Sequence, residues 1–476
     1  MHILIPIFFN APLGGLHLNA MSTALHCKKN GHDVTVVCKK GIFTEKLRKA
    51  NINIINTNFN DSEYPLTVNK ILELNRTKKI DIIHSHPFQS RKLTILLSRI
   101  LDVPFFVTIH GRHTDNIETY IDKVEMVFTV SEGVKDFVKE HLTKKGLRKY
   151  FYKLLVVPNG VDMELFKRVN NSRFIDNTER FKISLVSRLD KDKEFIIDIF
   201  YKALRFAKNN FSQKVYWTIV GDGTLKEEMQ RKVKEINNGD FVKFVGWKEN
   251  NELLMEYIDS DVIIAPGRSA LEGMSCGKPV IAIGSKAYIG LIDKENWLKG
   301  VYANFGGIGN KIEDYIEGSI ENDIKRVIED GLLRQELEEL GPNLISQFYK
   351  EEEANSNLLR FFQMIRSNIT KQKETNQEDL SEQISSYLIE TNIKNTLLTQ
   401  LTNKEIKIEV VCHDYENIEF AWYIFKENNV IQKIYYSSSN SINYKFNEPG
   451  KYRIRCFLRK EQASFSFLTK VINVKI

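Results

Sequence analysis

The sequence predicts an α/β protein: two Rossmann-like, doubly wound domains followed by a small all-β sandwich domain. Three observations lead to this fold class. Strand-like and helix-like stretches alternate over residues 1–165, and the same alternation restarts over 166–345. The strand-like stretches are continuous Val, Ile, Leu and Phe runs, as in parallel strands buried on both faces. From about residue 404 the hydrophobic period becomes two, with Asn-Asn and Pro-Gly turn signals, which is typical of short antiparallel strands.

Each α/β domain is predicted from its own series of apolar runs. In the first domain these are HILIPIF (2–8), HDVTVVC (32–38), DIIHSH (81–86), PFFVTIH (104–110), EMVFTVS (125–131) and KLLVVPN (153–159). In the second they are FKISLVSRL (181–189), KVYWTIVGDG (214–223), VKFVGW (242–247), DVIIAPG (261–267) and PVIAIGS (279–285). Two such domains facing each other form a cleft at the carboxyl ends of their strands, where ligands of open α/β sheets bind.

The remaining segments complete the predicted order. Residues 346–366 have aromatic and Leu residues at helical spacing, and we expect a helix that packs back on the α/β core. Residues 367–403 are polar and are predicted to be a linker. Residues 404–476 form the predicted β-sandwich, which resembles immunoglobulin-like modules.

Composition excludes several classes of protein. Of the 476 residues, 42% are apolar and 11% aromatic, which is enough to fill real cores and excludes wholesale disorder. Five scattered cysteines without a CxxC pair argue against a disulfide framework or a thiolate zinc site, and favour a reducing compartment. The N-terminal MHILIPIFF is predicted to be a strand rather than a signal peptide, and no apolar run approaches about 20 residues. The formal charge of +7 permits anionic partners, but its even spread fits a nucleic-acid binder least well.

The stretch from Asp261 to Ser285 is predicted to fold as strand, tight turn, short helix and strand. The turn formed by Gly267, Arg268, Ser269 and Ala270 should leave backbone N–H groups free at the start of a helix, where they favour a phosphate. Glu272, one turn further, can accept hydrogen bonds from a diol such as ribose. The alternative is that Glu272 merely complements the helix dipole.

Three other loops support a ligand site at the strand ends. Arg188 and Lys193 follow a strand at a spacing of five, so that both cations can reach the same cleft. Gly221, Asp222 and Gly223 lie between a strand and a helix, and Gly14 and Gly15 lie in the first loop of the other domain. Each glycine loop alone is more often a plain turn than a phosphate cradle.

Taken together and in order, these stretches give the chain a resemblance to the family 4 retaining glycosyltransferases, which have the two-domain GT-B fold. The matching stretches, over roughly residues 1–365, are GG (14–15), GHDVTVV (31–37), DIIHSH (81–86), TIHG (108–111), VSEGVKDF (130–137), VPNGVD (157–162), SRLDKDK (187–193), GDG (221–223) and LEGMSCGKPVIA (271–282).

The resemblance implies a role for several positions. Arg188 and Lys193 would hold the diphosphate of a nucleotide-sugar donor and stabilise it as the leaving group. Glu272 would bind the ribose hydroxyls, and His110 would lie beside the donor sugar on the acceptor side. Backbone groups near Gly15 and at Ser269, Ala270 and Leu271 would approach the phosphates. For His110 the alternative is a strand-end histidine bonded to backbone.

One departure from the family concerns the glutamate pair. The family usually has a second glutamate eight residues before the position of Glu272, whereas this chain has Ile264 there, inside the predicted strand. The loop is about six residues shorter than usual. Arg268, or the turn after the next strand at Ser285–Leu291, is expected to take over the contact to the donor sugar.

Three further stretches carry alternative readings. His84, His86, His110 and His113 lie at neighbouring strand ends and could bind zinc, although the family needs no metal. Residues 139–155 mix cations with aromatics; they either lie on an anionic bilayer or form a surface helix with its aromatics packed inward.

The third such stretch is the C-terminal module. Its aromatics are interpreted as core and strand-face residues, with a carbohydrate-binding face as the alternative, and Cys412 and Cys456 are expected to be free thiols.

The resulting hypothesis is a bacterial, cytoplasmic glycosyltransferase, with peripheral contact at the inner face of the membrane as an open alternative. It would move a sugar with retention from a nucleotide-diphosphate sugar to a surface-polysaccharide, glycolipid or similar acceptor, with no metal or other cofactor. Two rivals stay open: a GT-B nucleotide-sugar epimerase, and a catalytically degenerate module that binds sugar nucleotides.

Overall fold

The computed structural model describes residues 1–8, 14–60, 62–168, 181–211, 215–237, 241–306, 315–371, 393–402, 405–412, 418–427, 429–460, 463–468 and 472–474. The chain divides into two compact units, Met1–Phe362 and Gln363–Ile476. No helix among the described residues is both long and apolar enough to cross a bilayer.

The first half of unit 1 is a doubly wound domain. Its strands are β1 His2–Pro6, β2 Asp33–Cys38, β3 Asn53–Asn56, β4 Ile82–Ser85, β5 Phe105–Ile109, β6 Met126–Thr129 and β7 Leu154–Val156. Its helices are α1 Gly15–Lys29, α2 Ile42–Lys49, α3 Tyr64–Thr77, α4 Gln89–Leu101 and α5 Glu132–Lys144. All strand pairs are parallel, in the order β3-β2-β1-β4-β5-β6-β7.

Strand β1 shows why continuous apolar runs make this sheet. Ile3, Leu4 and Ile5 are each fully buried, so neighbours pointing to opposite faces are both covered. Burying a side chain of this size stabilises the folded state by about 1.5–3 kcal/mol. Helices must cover both faces of the sheet for every residue of the strand to contribute in this way.

The second half of unit 1 repeats the plan. Its strands are β8 Phe181–Val186, β9 Val215–Val220, β10 Val242–Gly246, β11 Val262–Ala265, β12 Val280–Ile283 and β13 Tyr288–Leu291. Its helices are α6 Glu194–Phe211, α7 Lys226–Asn237, α8 Asn250–Ile258, α9 Gly267–Ser275, α10 Trp297–Tyr302, α11 Ser319–Glu329 and α12 Gly331–Phe348. The sheet order is β10-β9-β8-β11-β12-β13, and β13 pairs antiparallel to β12.

Helix α13 (Glu351–Lys371) starts at the second domain and packs on the first. Thr23 Oγ1 in α1 donates to Asn355 Oδ1 at 2.9 Å, and the Phe362 ring lies 4.9 Å from that of Phe106. The two passages between the domains lie side by side. Val161 N donates to the carbonyl of Tyr349 at 2.7 Å, and Glu351 N donates back to the carbonyl of Val161 at 3.1 Å.

Gly160 makes this double crossing possible. A Cβ at that position would lie 2.2 Å from Glu351 Cα, closer than real atoms approach. Only glycine, which has no side chain, therefore fits where the two chain segments touch.

Unit 2 contains the β module. Its strands are β14 Ile393–Thr402, β15 Glu405–Cys412, β16 Glu419–Lys426, β17 Asn429–Ser437, β18 Ser441–Lys445, β19 Gly450–Lys460, β20 Ala463–Leu468 and β21 Ile472–Val474. They form antiparallel sheets of order β14-β15-β18 and β17-β16-β19-β20, with β21 paired to β19. Both sheets contribute to one core, from Ile408 in β15 to Trp422 in β16 and Ile454 in β19.

The predicted fold class of two doubly wound domains followed by a β module is confirmed. The structure differs from the predicted linker at 367–403, because α13 continues to Lys371 and β14 occupies Ile393–Thr402; residues 372–392 lie outside the described part. Strand β14 belongs to the sheet because it pairs with β15 along nearly its whole length.

Candidate functional site

The loop after β8 brings the two predicted cations together. Arg188 Nη2 lies 3.1 Å from Asp192 Oδ2, and Lys193 Nζ lies 3.0 Å from the same oxygen. Partial burial alone would raise the pKa of Asp192, but the charges of Lys193 and Arg188 hold it below its ordinary value. The two cations thus converge on Asp192, as they would on a phosphate, while the other amino group of Arg188 pairs with Asp190.

Lys193 also joins this loop to the loop after β12. Its Nζ donates to Ser285 Oγ at 2.7 Å, across 92 residues of sequence. Because β8 and β12 both flank β11 in the sheet, their carboxyl ends open at the same edge. The turn that begins at Ser285 therefore reaches the cation pair.

The glycine loop after β9 packs against the Arg188 loop. Leu189 N donates to the carbonyl of Asp222 at 2.9 Å. Gly221 and Gly223 have φ values of +150° and +157°, and a Cβ on either would collide with backbone atoms of Ser187 or Leu189. Their glycine requirement is thus explained by loop-on-loop packing.

Asp222 is engaged locally. Its Oδ1 accepts from the N–H of Gly223 at 2.9 Å and its Oδ2 from Lys226 at 2.7 Å. The structure shows no contact from its carboxylate to Arg188 or Lys193 among the described residues.

Glu272 lies in α9, directly after β11, and is only 4% exposed. Arg268 Nε donates to its Oε1 at 2.8 Å, and the Tyr257 hydroxyl donates to its Oε2 at 3.1 Å. Each carboxylate oxygen keeps further lone pairs for a ligand. Glu272 is therefore held in a fixed orientation by its neighbours.

The guanidinium group of Arg268 faces two carboxylates, those of Glu272 and Glu351. Besides Glu272, its Nη2 lies 3.6 Å from Glu351 Oε1 at the start of α13. Burial alone would lower the pKa of Arg268, but the two carboxylates raise it, and burial raises the pKa of Glu351. Arg268 therefore ties α9 to α13.

The first turn of α9 is partly used within the protein. Gly267 has φ +47°, and its N–H donates to the carbonyl of Phe305 at 2.6 Å; the Ala270 N–H donates to the carbonyl of Pro266 at 3.4 Å. The Ser269 carbonyl accepts from the Tyr257 hydroxyl, and the Ala270 and Leu271 side chains are fully buried. The N–H groups of Gly267 and Ala270 are thus bonded within the protein, unlike the free N–H groups expected at residues 267–270.

Gly14 and Gly15 lie at the start of α1. Gly14 is the N-terminal cap, with extended backbone, and its carbonyl accepts from Leu18 N at 3.1 Å. A Cβ at Gly15 would meet nothing within 4 Å. A side chain at Gly15 would thus meet no neighbour among the described residues, and residues 9–13 lie outside them.

His110 forms a pair with His86. His110 Nε2 and His86 Nδ1 lie 2.8 Å apart, and the rings stack with their centroids 5.0 Å apart. Burial lowers the pKa of His110 to about 3 and that of His86 well below its ordinary value. Both rings are therefore neutral near pH 7, and one donates the single shared proton to the other. The alternative of a backbone-bonded His110 is not what the structure has.

The four histidines considered for zinc have other contacts. His84 Nε2 lies 2.7 Å from Thr108 Oγ1, and the ring of His113 lies 5.0 Å from that of Phe88. Within the described residues, no three or more histidine, cysteine or carboxylate side chains are grouped so as to hold a metal ion.

A cavity of about 240 Å³ opens between the two domains. Its lining includes Arg112 and Asp136 from the first domain and Ala287, Lys299 and Tyr302 from the second. Arg112 is two residues after His110 and Ala287 two after Ser285, so the cavity lies between the loops that carry these residues.

The segment 139–155 packs inward. Leu142 is fully buried, and Leu147, Tyr150 and Phe151 pack against the core of the first domain. Lys139 lies over the Phe151 ring at 5.6 Å. The inward-packed alternative therefore describes this segment better than an amphipathic bilayer helix.

The aromatics of the β module divide into two groups. Trp422, Phe446 and Tyr452 are buried in its core, whereas Tyr423, Phe425 and Phe457 lie half-buried on the outer face. Cys456 is buried and free, and the Cys412 side chain lies outside the described part.

Sequence reasoning did not identify Asp190, Asp192, Tyr257 or Glu351 as partners of the site residues. Asp190 and Asp192 are visible in the sequence as charges beside the two cations. Tyr257 and Glu351 reach the site from distant segments and gave no signal, whereas the turn at Ser285 had been singled out for a different contact.

Two family models match the chain: "Glycosyltransferase Family 4" over residues 13–165 and "Glycosyl transferases group 1" over residues 168–343. The uncharacterized glycosyltransferase MJ1178 of Methanocaldococcus jannaschii is 26% identical over 256 residues, which are 50% of this chain and 66%, just under two thirds, of that protein. An Escherichia coli protein, UDP-Gal:alpha-D-GlcNAc-diphosphoundecaprenol alpha-1,3-galactosyltransferase, is 24% identical over 284 residues, 52% of this chain and 70% of that protein.

Among solved structures, that of Anabaena Alr3699/HepE in complex with UDP superposes with a TM-score of 0.58. The superposition covers 76% of this chain and 100% of that one, at 19% identity. At this identity the likeness shows the shared fold.

Proposed function

Because the chain belongs to the group 1 glycosyl transferases, with a glycosyltransferase family 4 domain before the group 1 domain, we propose that it transfers a sugar from a nucleotide-diphosphate sugar to a carbohydrate or lipid-linked acceptor. One observation carries the proposal: Arg188 and Lys193 converge on a single oxygen of Asp192 at the carboxyl edge of the second sheet. A donor diphosphate, with more charge than one carboxylate, displaces Asp192 and binds both cations.

Glu272 binds the ribose of the donor. Arg268 and Tyr257 hold its carboxylate in place, and its remaining lone pairs accept from the ribose hydroxyls. Arg268 acts here as a positioning residue, since its guanidinium faces Glu272 and Glu351. The contact to the donor sugar then falls to the turn beginning at Ser285.

The acceptor binds in the cavity between the domains. Asp136 and Glu140 offer oxygens that accept from sugar hydroxyls, and Arg112 and Lys299 offer donors. His110, which begins the loop leading to Arg112, would lie beside the donor sugar on this acceptor side. His86 fixes the orientation of the His110 ring through their shared hydrogen bond.

The reaction retains the anomeric configuration. The bond from the sugar C1 to the phosphate oxygen breaks, a bond from C1 to the acceptor oxygen forms on the same face, and the acceptor proton passes to the departing phosphate. Arg188 and Lys193 stabilise the negative charge that grows on that phosphate. No side-chain base and no metal ion are needed in this scheme.

UDP is the nucleotide to test first. The Anabaena structure holds UDP, and the name of the Escherichia coli relative specifies UDP-Gal and a diphosphoundecaprenol-linked acceptor. The test is calorimetric titration with UDP and GDP, followed by NMR of the anomeric signal of the product formed from UDP-Gal or UDP-glucose. Tight UDP binding and a retained anomer support the proposal, whereas an inverted product contradicts the same-face route.

A second candidate is a module that binds sugar nucleotides without turnover. The observation that favours it is the burial of Glu272, which is 4% exposed and already bonded to Arg268 and Tyr257, together with Ile264 at the position of the usual first glutamate. Tight UDP binding with no transfer to any acceptor and no donor hydrolysis would support this candidate.

A further inference from the structure

The outer face of the five-stranded sheet in the β module is strongly basic. Side chains along β19 alternate: Tyr452, Ile454, Cys456 and Leu458 are buried in the core. Their neighbours on the opposite face are Lys451, Arg453, Arg455, Phe457 and Arg459. Four of these five outward side chains are cations, spaced about 7 Å apart along the strand.

Aromatic rings hold several cations of this face in place. Arg459 lies over the Tyr436 ring at 4.3 Å, Lys433 over Tyr423 at 5.0 Å and Arg455 over Phe425 at 5.9 Å. Such contacts keep the charge at the surface while covering the ring. The face is therefore an array of positioned cations.

Most of this charge is uncompensated. Glu419 pairs with Arg459 at 2.7 Å. Within the described residues, Lys433, Arg453 and Arg455 have no carboxylate within ion-pair distance. A face with several unpaired cations on adjacent strands attracts an extended anionic surface.

An apolar rim borders the basic face. Strand β17 is the edge of the sheet, and two irregularities in its pairing with β16 fall at Ile431 and at Tyr435–Tyr436. Ile431 is 47% exposed and Tyr435 77% exposed, with Val430 also exposed. Large apolar side chains are unfavourable when exposed to water. At the boundary between lipid headgroups and acyl chains they are favourable, and here they lie beside a basic face.

We propose that this basic face and its rim, Val430, Ile431 and Tyr435, dock on an anionic phospholipid bilayer. The array of cations faces the headgroups, and the rim enters the interface. A soluble polyanion such as a nucleic acid would pair with the cations but leave the rim in water, so the two features together favour a lipid surface. Docking through the module replaces the role considered for residues 139–155, whose aromatics pack inward.

The test is flotation of the full chain with vesicles of phosphatidylglycerol and phosphatidylcholine, compared with pure phosphatidylcholine. We expect binding that requires phosphatidylglycerol and weakens with salt. Arg453→Glu should lower the affinity at least about tenfold, since each cation near an anionic surface contributes substantially. Lys445→Glu, an exposed lysine in β18 of the other sheet, makes the same change in net charge and should have little effect.

The rim is tested separately with the double variant Ile431→Ser and Tyr435→Ser, which should weaken vesicle binding severalfold while leaving the affinity for single-stranded DNA unchanged. An equal loss of vesicle affinity in Arg453→Glu and Lys445→Glu would overturn the proposal. A vesicle affinity that neither substitution changes would overturn it as well. A loss of DNA binding in Arg453→Glu without any vesicle binding by the parent chain would identify a polyanion site instead. Flotation needs no sugar transfer, so its failure leaves the proposed donor site unaffected.

Discussion

Arg188 and Lys193 meet at one atom: Arg188 Nη2 lies 3.1 Å and Lys193 Nζ 3.0 Å from Asp192 Oδ2. Asp192 therefore lies between the two cations, where the donor phosphate is proposed to bind. Single substitutions of the three side chains can measure what each contributes to binding and turnover.

Lys193→Ala should lower kcat by at least about 10²-fold, because the variant loses a donor to the charge that develops on the leaving phosphate. The measurement is the transfer rate at saturating donor. Lys191→Ala, an exposed lysine in the same turn, serves as the control and should retain parental turnover. Near-normal turnover of Lys193→Ala would reject the assignment of this residue.

Asp192→Asn should strengthen UDP binding, because the neutral amide no longer competes with the diphosphate for Lys193 and for one amino group of Arg188, although Asp190 still pairs with the other. The carboxylate is about half exposed, so the gain should stay below about tenfold. Calorimetric titration with UDP measures it. Weaker binding in the variant would show instead that Asp192 is needed to position Arg188 and Lys193.

Arg268→Ala should destabilise unit 1 by about 3 kcal/mol, because it leaves the buried carboxylate of Glu272 without its cation. Thermal or urea unfolding measures the loss. Adding Glu272→Gln to this variant should restore part of the stability, since the unpaired charge is removed. Lys144→Ala, which breaks the exposed pair with Glu140 at the same i,i+4 spacing, should cost less than about 0.5 kcal/mol.

Unit 1 should lose stability as the pH falls below about 6.5. Burial lowers the pKa of His17 and His113 to about 4, and that of His84 and His110 to about 3. The unfolded chain takes up protons near pH 6.5 while the folded chain does not, so acid favours unfolding down to the folded-state pKa values. Four carboxyls in the described part of unit 1 act in the opposite direction, because burial raises the pKa of Asp115 (to about 6), Glu125, Asp323 and Glu351. They are outnumbered by eight histidines there whose pKa burial lowers.

The experiment is the unfolding free energy of unit 1 between pH 7.5 and 5. His84→Gln should reduce the slope by up to about 1.4 kcal/mol per pH unit, the contribution of one proton. An unchanged slope in that variant would mean that His84 is not neutral in the folded state.

The sequence allowed most strands of the α/β domains to be predicted, because runs such as those of β1 and β8 are apolar on both faces. It did not predict β3, whose four residues begin and end with asparagine, or β13, which is short. Nothing in the apolar pattern of Tyr288–Leu291 indicates that this strand runs antiparallel to β12. Strand β14 was assigned to a linker because its sequence is largely polar.

The site could be predicted where position after a strand was enough, as for Arg188, Lys193 and Glu272. The partners that orient these residues come from elsewhere in the fold. Ser285 reaches Lys193 from the loop after β12, and Glu351 reaches Arg268 from the start of α13. Such contacts depend on tertiary packing, which neither periodicity nor spacing encodes.

The paired backbone bonds between Val161 and the Tyr349–Glu351 segment give the α/β domains one common pivot. Because both covalent connections pass through the same point, we expect the domains to rock about it and not to slide past each other. Rocking changes the width of the far end of the cleft most, where the Tyr302 hydroxyl donates to Asp136 Oδ2 at 3.0 Å, and leaves the region next to Gly160 almost still. The entrance for substrates can therefore widen while the framework beside the pivot stays intact.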